Sequence, residues 1–162
     1  MAWTTPKNWS ATLVTVADLN THIRDNLNAL KTPPQDIYST GAYAGANTTS
    51  STFVNIDATN LSLDITTTGG RIAILLQVLV YATATAQRAY FDISINGSRI
   101  GDTSYGLGNV YCATAGERFK YNLFIVTGVQ AAGSYNVKPM WLVNSGGTIN
   151  LGANVLFHIW ES

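Results

Sequence analysis

The chain has 162 residues, 11% charged and 46% hydrophobic, and its nine basic and nine acidic side chains cancel to a net charge of zero. That length holds one well-buried domain with a short appendage, and the neutral balance supplies no basic stripe for a phosphate backbone, which argues against a nucleic-acid partner. No apolar run approaches the ~20 residues of a membrane helix, no basic and apolar leader opens the chain, and a lone Cys112 leaves neither an intrachain disulfide nor a thiolate zinc site. Residues 1 to 14 read as an extended arm, because Pro6 disfavours helix at Thr5. Trp3 and Trp9 flank that proline with too few apolar neighbours to build a core, so they are expected to anchor the arm in a pocket of this subunit or another. Thr15 offers an N-cap oxygen, with Asp18 three residues on. Val16, Leu19, Ile23, Leu27 and Leu30 then form one apolar stripe of a helix over Val16 to Leu30. Thr32, Pro33 and Pro34 stop it. A helix this short is marginal alone in water, so its stripe needs a cover: its own domain, sister helices or a partner protein. Residues 1–36 are therefore expected to be a docking or oligomerisation unit.

From residue 37 to 162 short β-rich runs alternate with Gly, Asn and Ser clusters. Candidate strands cover residues 52–57, 61–67, 71–82, 87–95, 99–106, 109–113, 118–127, 134–143 and 154–160, and their spacing predicts an antiparallel β-sandwich. The 20 Thr, 14 Asn and 11 Ser suit strands and turns, and can hydrogen-bond across an interface without burying an ion. Phe91, Ile93 and Ile95 share a face opposite Asp92 and Ser94. The run from Ile72 to Val80 is apolar on both faces, as expected of a central strand covered by the second sheet on one side and by another subunit on the other. Ile72, Ile74, Leu76 and Val78 are the candidate trimer-core residues. Asn96-Gly97 predicts a type I′ hairpin, and Gly69-Gly70 and Gly146-Gly147 are expected to punctuate others. No fixed-period repeat is present.

Chemistry is scarce. The chain contains no Gly-x-Ser-x-Gly elbow, phosphate-binding glycine loop or His-Glu-x-x-His motif. His22 and His158 fall in different elements, and His158 is expected to be a packed strand residue sharing a face with Leu156 and Trp160. Cys112 reads as a small buried strand residue. Asp57, Asp64, Asp92, Asp102 and Glu117 are scattered. A carboxylate pair acting on a glycan is the least favoured reading, because most of these acids border turns where they bond the backbone. No catalytic residue, metal or cofactor is expected.

Two stretches resemble known proteins. Residues 1–9, Met-Ala-Trp-Thr-Thr-Pro-Lys-Asn-Trp, with residues 13–30, Leu-Val-Thr-Val-Ala-Asp-Leu-Asn-Thr-His-Ile-Arg-Asp-Asn-Leu-Asn-Ala-Leu, resemble the N-terminal signature of many small virion proteins of tailed phages and prophages. Members usually carry Gly near positions 11 and 12, where this chain has Ala11 and Thr12. Residues 52–57, 61–65, 91–97 and 132–141 are similar in pattern to the trimeric jelly-roll heads of phage fibres and decoration proteins, related in shape to tumour-necrosis-factor and C1q-like heads. The resemblance implies an all-β, jelly-roll-like antiparallel sandwich with an extended arm and one helix. It also implies a non-enzymatic homotrimer on the capsid surface or tail of a virion, touching the major capsid protein or a tail component. A capsid decoration, or cement, role is expected, with Trp3, Pro6, Trp9, Leu19, Ile23, Leu27 and Leu30 docking. The alternative is a tail-tip or head-fibre protein recognising a host-surface glycan or protein, with Tyr105 as a stacking ring.

Overall fold

The fold is known from a computed structural model that describes residues 14–144 and 146–162. Thr15 caps the helix: its Oγ1 accepts the Asp18 N–H at 3.1 Å while Asp18 Oδ2 accepts the Thr15 N–H at 3.1 Å, a reciprocal capping box. Helix α1 (Val16–Leu19) opens into a π-helical stretch (Asn20–Arg24) and continues as α2 (Asp25–Lys31). The two prolines then release the chain into the sandwich.

Eleven strands follow among the described residues: β1 (Gln35–Thr40), β2 (Asn47–Thr48), β3 (Val54–Asn55), β4 (Leu63–Thr67), β5 (Arg71–Ala82), β6 (Gln87–Ile95), β7 (Ser98–Arg99), β8 (Gly108–Cys112), β9 (Arg118–Val129), β10 (Gly133–Val143) and β11 (Ile149–Glu161). They form two antiparallel sheets. Sheet A runs β1-β11-β5-β9 with β2 also on β11, and sheet B runs β3-β10-β6-β7 with β4 also on β10 and β8 on β6. This is the antiparallel sandwich that the strand pattern predicts and the jelly-roll-like all-β fold that the resemblance implies, and β5 and β6 span the residues expected. The two-residue period sends Ile72, Ile74, Leu76, Val78 and Val80 of β5 inward, together with Val155, Phe157 and Ile159 of β11. They meet Phe91 and Ile93 of β6 and Val137, Trp141 and Val143 of β10 in one core.

Asn96-Gly97 closes the predicted hairpin, with φ of 50° and 82° and Ile95 paired to Ser98. The other two glycine pairs do not make hairpins. Gly69-Gly70 carries the chain from β4 in sheet B to β5 in sheet A, and Gly146-Gly147 carries it from β10 in sheet B to β11 in sheet A. A positive φ at Gly69 or Gly146 serves an arch between sheets as well as a hairpin, so the residues alone do not distinguish them. Residues 99–106 are not a strand either; beyond Arg99 they form a tight loop whose cause is described below. The expected strand over 52–57 shrinks to β3, because Ser50 Oγ and the Asp57 carboxylate tie the backbone on either side into turns. β11 starts at Ile149, ahead of the expected 154, because an irregularity in register between Leu151 and Val155 interrupts the alternation. β1 begins at Gln35, ahead of residue 37.

Candidate assembly interface

The helix keeps its stripe in the open. Val16, Leu19, Ile23, Leu27 and Leu30 are 44–73% exposed. Trp3, Pro6 and Trp9, the remaining residues expected to dock, lie outside the described residues.

The structure places the candidate trimer-core row of β5 inside the chain's own sandwich. Ile72, Ile74, Leu76 and Val78 are fully buried against sheet B of the same chain, so they fill its own core and cannot line a contact between subunits. The reason is the crossing of β5 between β4 and β6 of the opposite sheet, which turns this row of side chains inward. What remains for a neighbour is the outer face of sheet A. Register aligns Ile37, His158, Leu75 and Phe124 across four strands, and Gln35, Trp160, Ala73 and Val126 in the adjacent row. Small Ala73 is covered on this face, and beside it Trp160 stacks on Phe124 at 6.0 Å between centroids and His158 lies 4.7 Å from Trp160. His158 Nε2 also sits 3.0 Å from Gln35 Oε1, the hydrogen-bonded strand role expected of it. Ile37, Phe124 and Val126 are still 47–59% exposed on this face. Charge lies at the other end of the face, where the Arg118 guanidinium sits 5.0 Å over the Tyr81 ring.

At the far side of the molecule Asp92 explains the loop after β7. Its carboxylate is completely buried; Oδ2 takes Arg99 Nε at 2.7 Å, and Oδ1 takes the N–H groups of Ile93 and Gly101 at 2.7 and 2.9 Å. Arg99 then donates to the carbonyls of Thr103 and Asp102 at 3.1 and 2.6 Å and lies 3.7 Å over the Phe53 ring. Glycine is required at Gly106, whose φ is +62° and whose Cβ would strike the Phe91 carbonyl. Asp102 accepts the N–H groups of Tyr105 and Ser104, which lowers its pKa. Tyr105, the candidate ligand residue, stands on this loop.

Asp64 and Asp57 are similarly engaged. Asp64 accepts Asn136 Nδ2 at 2.8 Å. Asp57 takes the N–H groups of Thr59 and Asn60 on Oδ1, and Asn60 Nδ2 and the Tyr43 hydroxyl on Oδ2, all at 2.8–2.9 Å. Burial alone would raise its pKa, but these hydrogen bonds from Asn60, Tyr43 and Thr59 outweigh it and bring the group to about 2. Burial, with the Asp57 hydrogen bond and charge added, drives the Tyr43 phenol well above its ordinary range. A depressed folded-state value means that the ionised carboxylate stabilises the fold above the unfolded aspartate pKa of 3.8, and that this contribution disappears as pH falls through about 2. Asp57→Ala is expected to cost about 1–2 kcal/mol at pH 7, allowing for partial solvent screening, and almost nothing near pH 2. Urea titrations of both proteins at the two pH values check it; an equal loss at both would refute the assignment. Cys112 is buried, which raises its thiol pKa and keeps it protonated. Among the described residues no three His, Cys, Asp or Glu side chains gather as metal ligands, and no helix is long and apolar enough to cross a membrane.

No family model and no curated protein matches the chain. Solved structures are similar to it only at low identity and low TM-score. A structure of infectious bursal disease virus, Gx strain, is 13% identical with a TM-score of 0.45, over 77% of this chain and 31% of that one. Latent PorU from Porphyromonas gingivalis is 9% identical with a TM-score of 0.46, over 81% of this chain and 13% of that one. Eiger TNF from S. frugiperda is 8% identical with a TM-score of 0.44, over 81% of this chain and 94% of that one. The chain thus spans under a third of the first two.

Sequence reasoning missed the Phe124 and Trp160 pair. The signal was present: in β9 the period of two places Phe124 and Val126 on the same side as Lys120 and Asn122, two large apolar residues on an otherwise wet face.

Proposed function

We propose that the chain is a non-enzymatic virion subunit: a homotrimeric capsid decoration protein that docks through residues 1–31 and associates through the outer face of sheet A. The observation that carries this is the pair of uncovered apolar surfaces, the helix stripe and the Ile37, Phe124 and Val126 patch, on a chain with little charge. Contiguous apolar area of this kind marks contact surfaces on folded proteins. Uncharged surfaces of this type associate with little dependence on salt. The docking partner is the major capsid protein or a tail component, reached by the arm with Trp3, Pro6 and Trp9 and by the helix with Leu19, Ile23, Leu27 and Leu30.

Leu19→Asp with Ile23→Asp tests the arm in the full chain. Both side chains are exposed, so folding and trimerisation are expected to persist while incorporation into purified particles, measured by quantitative mass spectrometry, falls about tenfold or more. Undiminished incorporation would overturn the docking role.

A second reading, attachment to a host-surface glycan or protein at a tail tip or head fibre, draws support from Tyr105, an exposed ring on a loop locked by a buried ion pair.

A further inference from the structure

The outer face of sheet B carries a depression of about 430 Å³ that neither apolar surface uses. Phe53 and Leu142 supply its apolar lining, and Ser51, Thr52, Thr103 and Ser104 bring four residues with hydroxyl groups to it. Its size falls within the ~300–1,000 Å³ range of small-molecule sites. Arg99 also lines it, but its charge is paired with Asp92, and its two terminal nitrogens each donate to a loop carbonyl, of Thr103 and Asp102. The site therefore offers hydroxyls and apolar surface, with its one cationic side chain already committed.

Two rings neighbour residues of its lining without themselves lining it. Tyr90 stands opposite Leu142 in the register of β6 and β10, and Tyr105 follows Ser104 with its ring centroid 5.7 Å from that of Tyr90. Tyr105 is 63% exposed, yet its own N–H is held by Asp102 and its loop by the buried Asp92–Arg99 pair. The ring contributes little to the core and its backbone is tied down, so a ligand stacking on it pays little to order the loop.

We infer that this depression and its tyrosine pair form a binding subsite for an uncharged, hexose-containing saccharide. The apolar face of the sugar stacks on Tyr105, and its hydroxyls exchange hydrogen bonds with the serine and threonine rim. The inference names a ligand class for the attachment reading and rests on it for its biological use, while the chemistry lies on the sheet opposite the assembly face.

Saturation-transfer NMR and titration on the full chain test it, using maltose, lactose, cellobiose and mannobiose, with 3′-sialyllactose as the charged comparison. At least one neutral disaccharide is expected to bind with a Kd of about 0.1–10 mM. Tyr105→Ala should weaken that binding about tenfold or more, and Tyr105→Phe should retain it. Phe124→Asp, on the other sheet, should leave it unchanged, which separates this site from trimer assembly. Circular dichroism checks that Tyr105→Ala stays folded. No transfer from any neutral sugar, equal binding by Tyr105→Ala, or binding confined to the sialylated sugar would overturn the proposal.

Discussion

Arg99→Ala is expected to lower the stability of the sandwich by about 3–5 kcal/mol, because it leaves a buried carboxylate without its charged partner. Asp92 is fully buried, and Arg99 Nε is its charged partner at 2.7 Å. Removing the guanidinium strands a carboxylate away from water, and it also frees the Asp102 and Thr103 carbonyls that hold the loop. Arg99→Lys should recover little, because a single ammonium cannot reproduce the planar fork that reaches the carboxylate and both carbonyls. Asp92→Leu combined with Arg99→Met should recover only part of the loss, since it removes the buried charge together with its partner but leaves the Ile93 and Gly101 N–H groups and the two loop carbonyls without their side-chain partners. Urea unfolding of the three variants measures this. A penalty under about 1 kcal/mol for Arg99→Ala would show that solvent reaches Asp92 and that the pair does not organise the loop.

Phe124→Asp is expected to turn the proposed trimer into monomers without unfolding them. Phe124 is exposed on the outer face of sheet A and stacks on Trp160, so the change leaves the sandwich core intact but places a charge at the centre of the proposed contact. Central aromatic anchors contribute about 2 kcal/mol or more each, so every subunit contact should weaken by roughly 30-fold or more. Sedimentation velocity across a concentration series reads the mass, and thermal unfolding confirms that the monomer is folded. Leu76→Asp is the contrasting control: that side chain lies fully inside the core, so it should abolish folding itself. A wild-type chain that remains monomeric at every concentration, or a Phe124→Asp chain that remains trimeric, would overturn the assembly reading.

Local chemistry carried much of the fold. Thr15 and Asp18 marked the helix start, because a capping box involves only neighbours in the chain. Asn96-Gly97 marked its hairpin because the turn demands positive φ at two adjacent residues. The ends of β5 and β6 matched the apolar runs that define them. Sequence was weaker where a strand's pattern is broken or its turn chemistry is shared: β11 hides its first residues behind an irregular register, and Gly69-Gly70 looks the same whether the chain returns to its own sheet or crosses to the other.

By itself the sequence determined that this is a neutral, all-β chain with a capped helix and a doubly apolar central strand. Only the tertiary structure decided which side of that strand faces the core, because alternation defines two faces and the crossings between sheets select one of them. The same nonlocal contacts bring Trp160 beside Phe124 and Arg99 onto Asp92. Each of those pairs depends on strand register and loop closure, and neither can be read from the spacing of the residues along the chain.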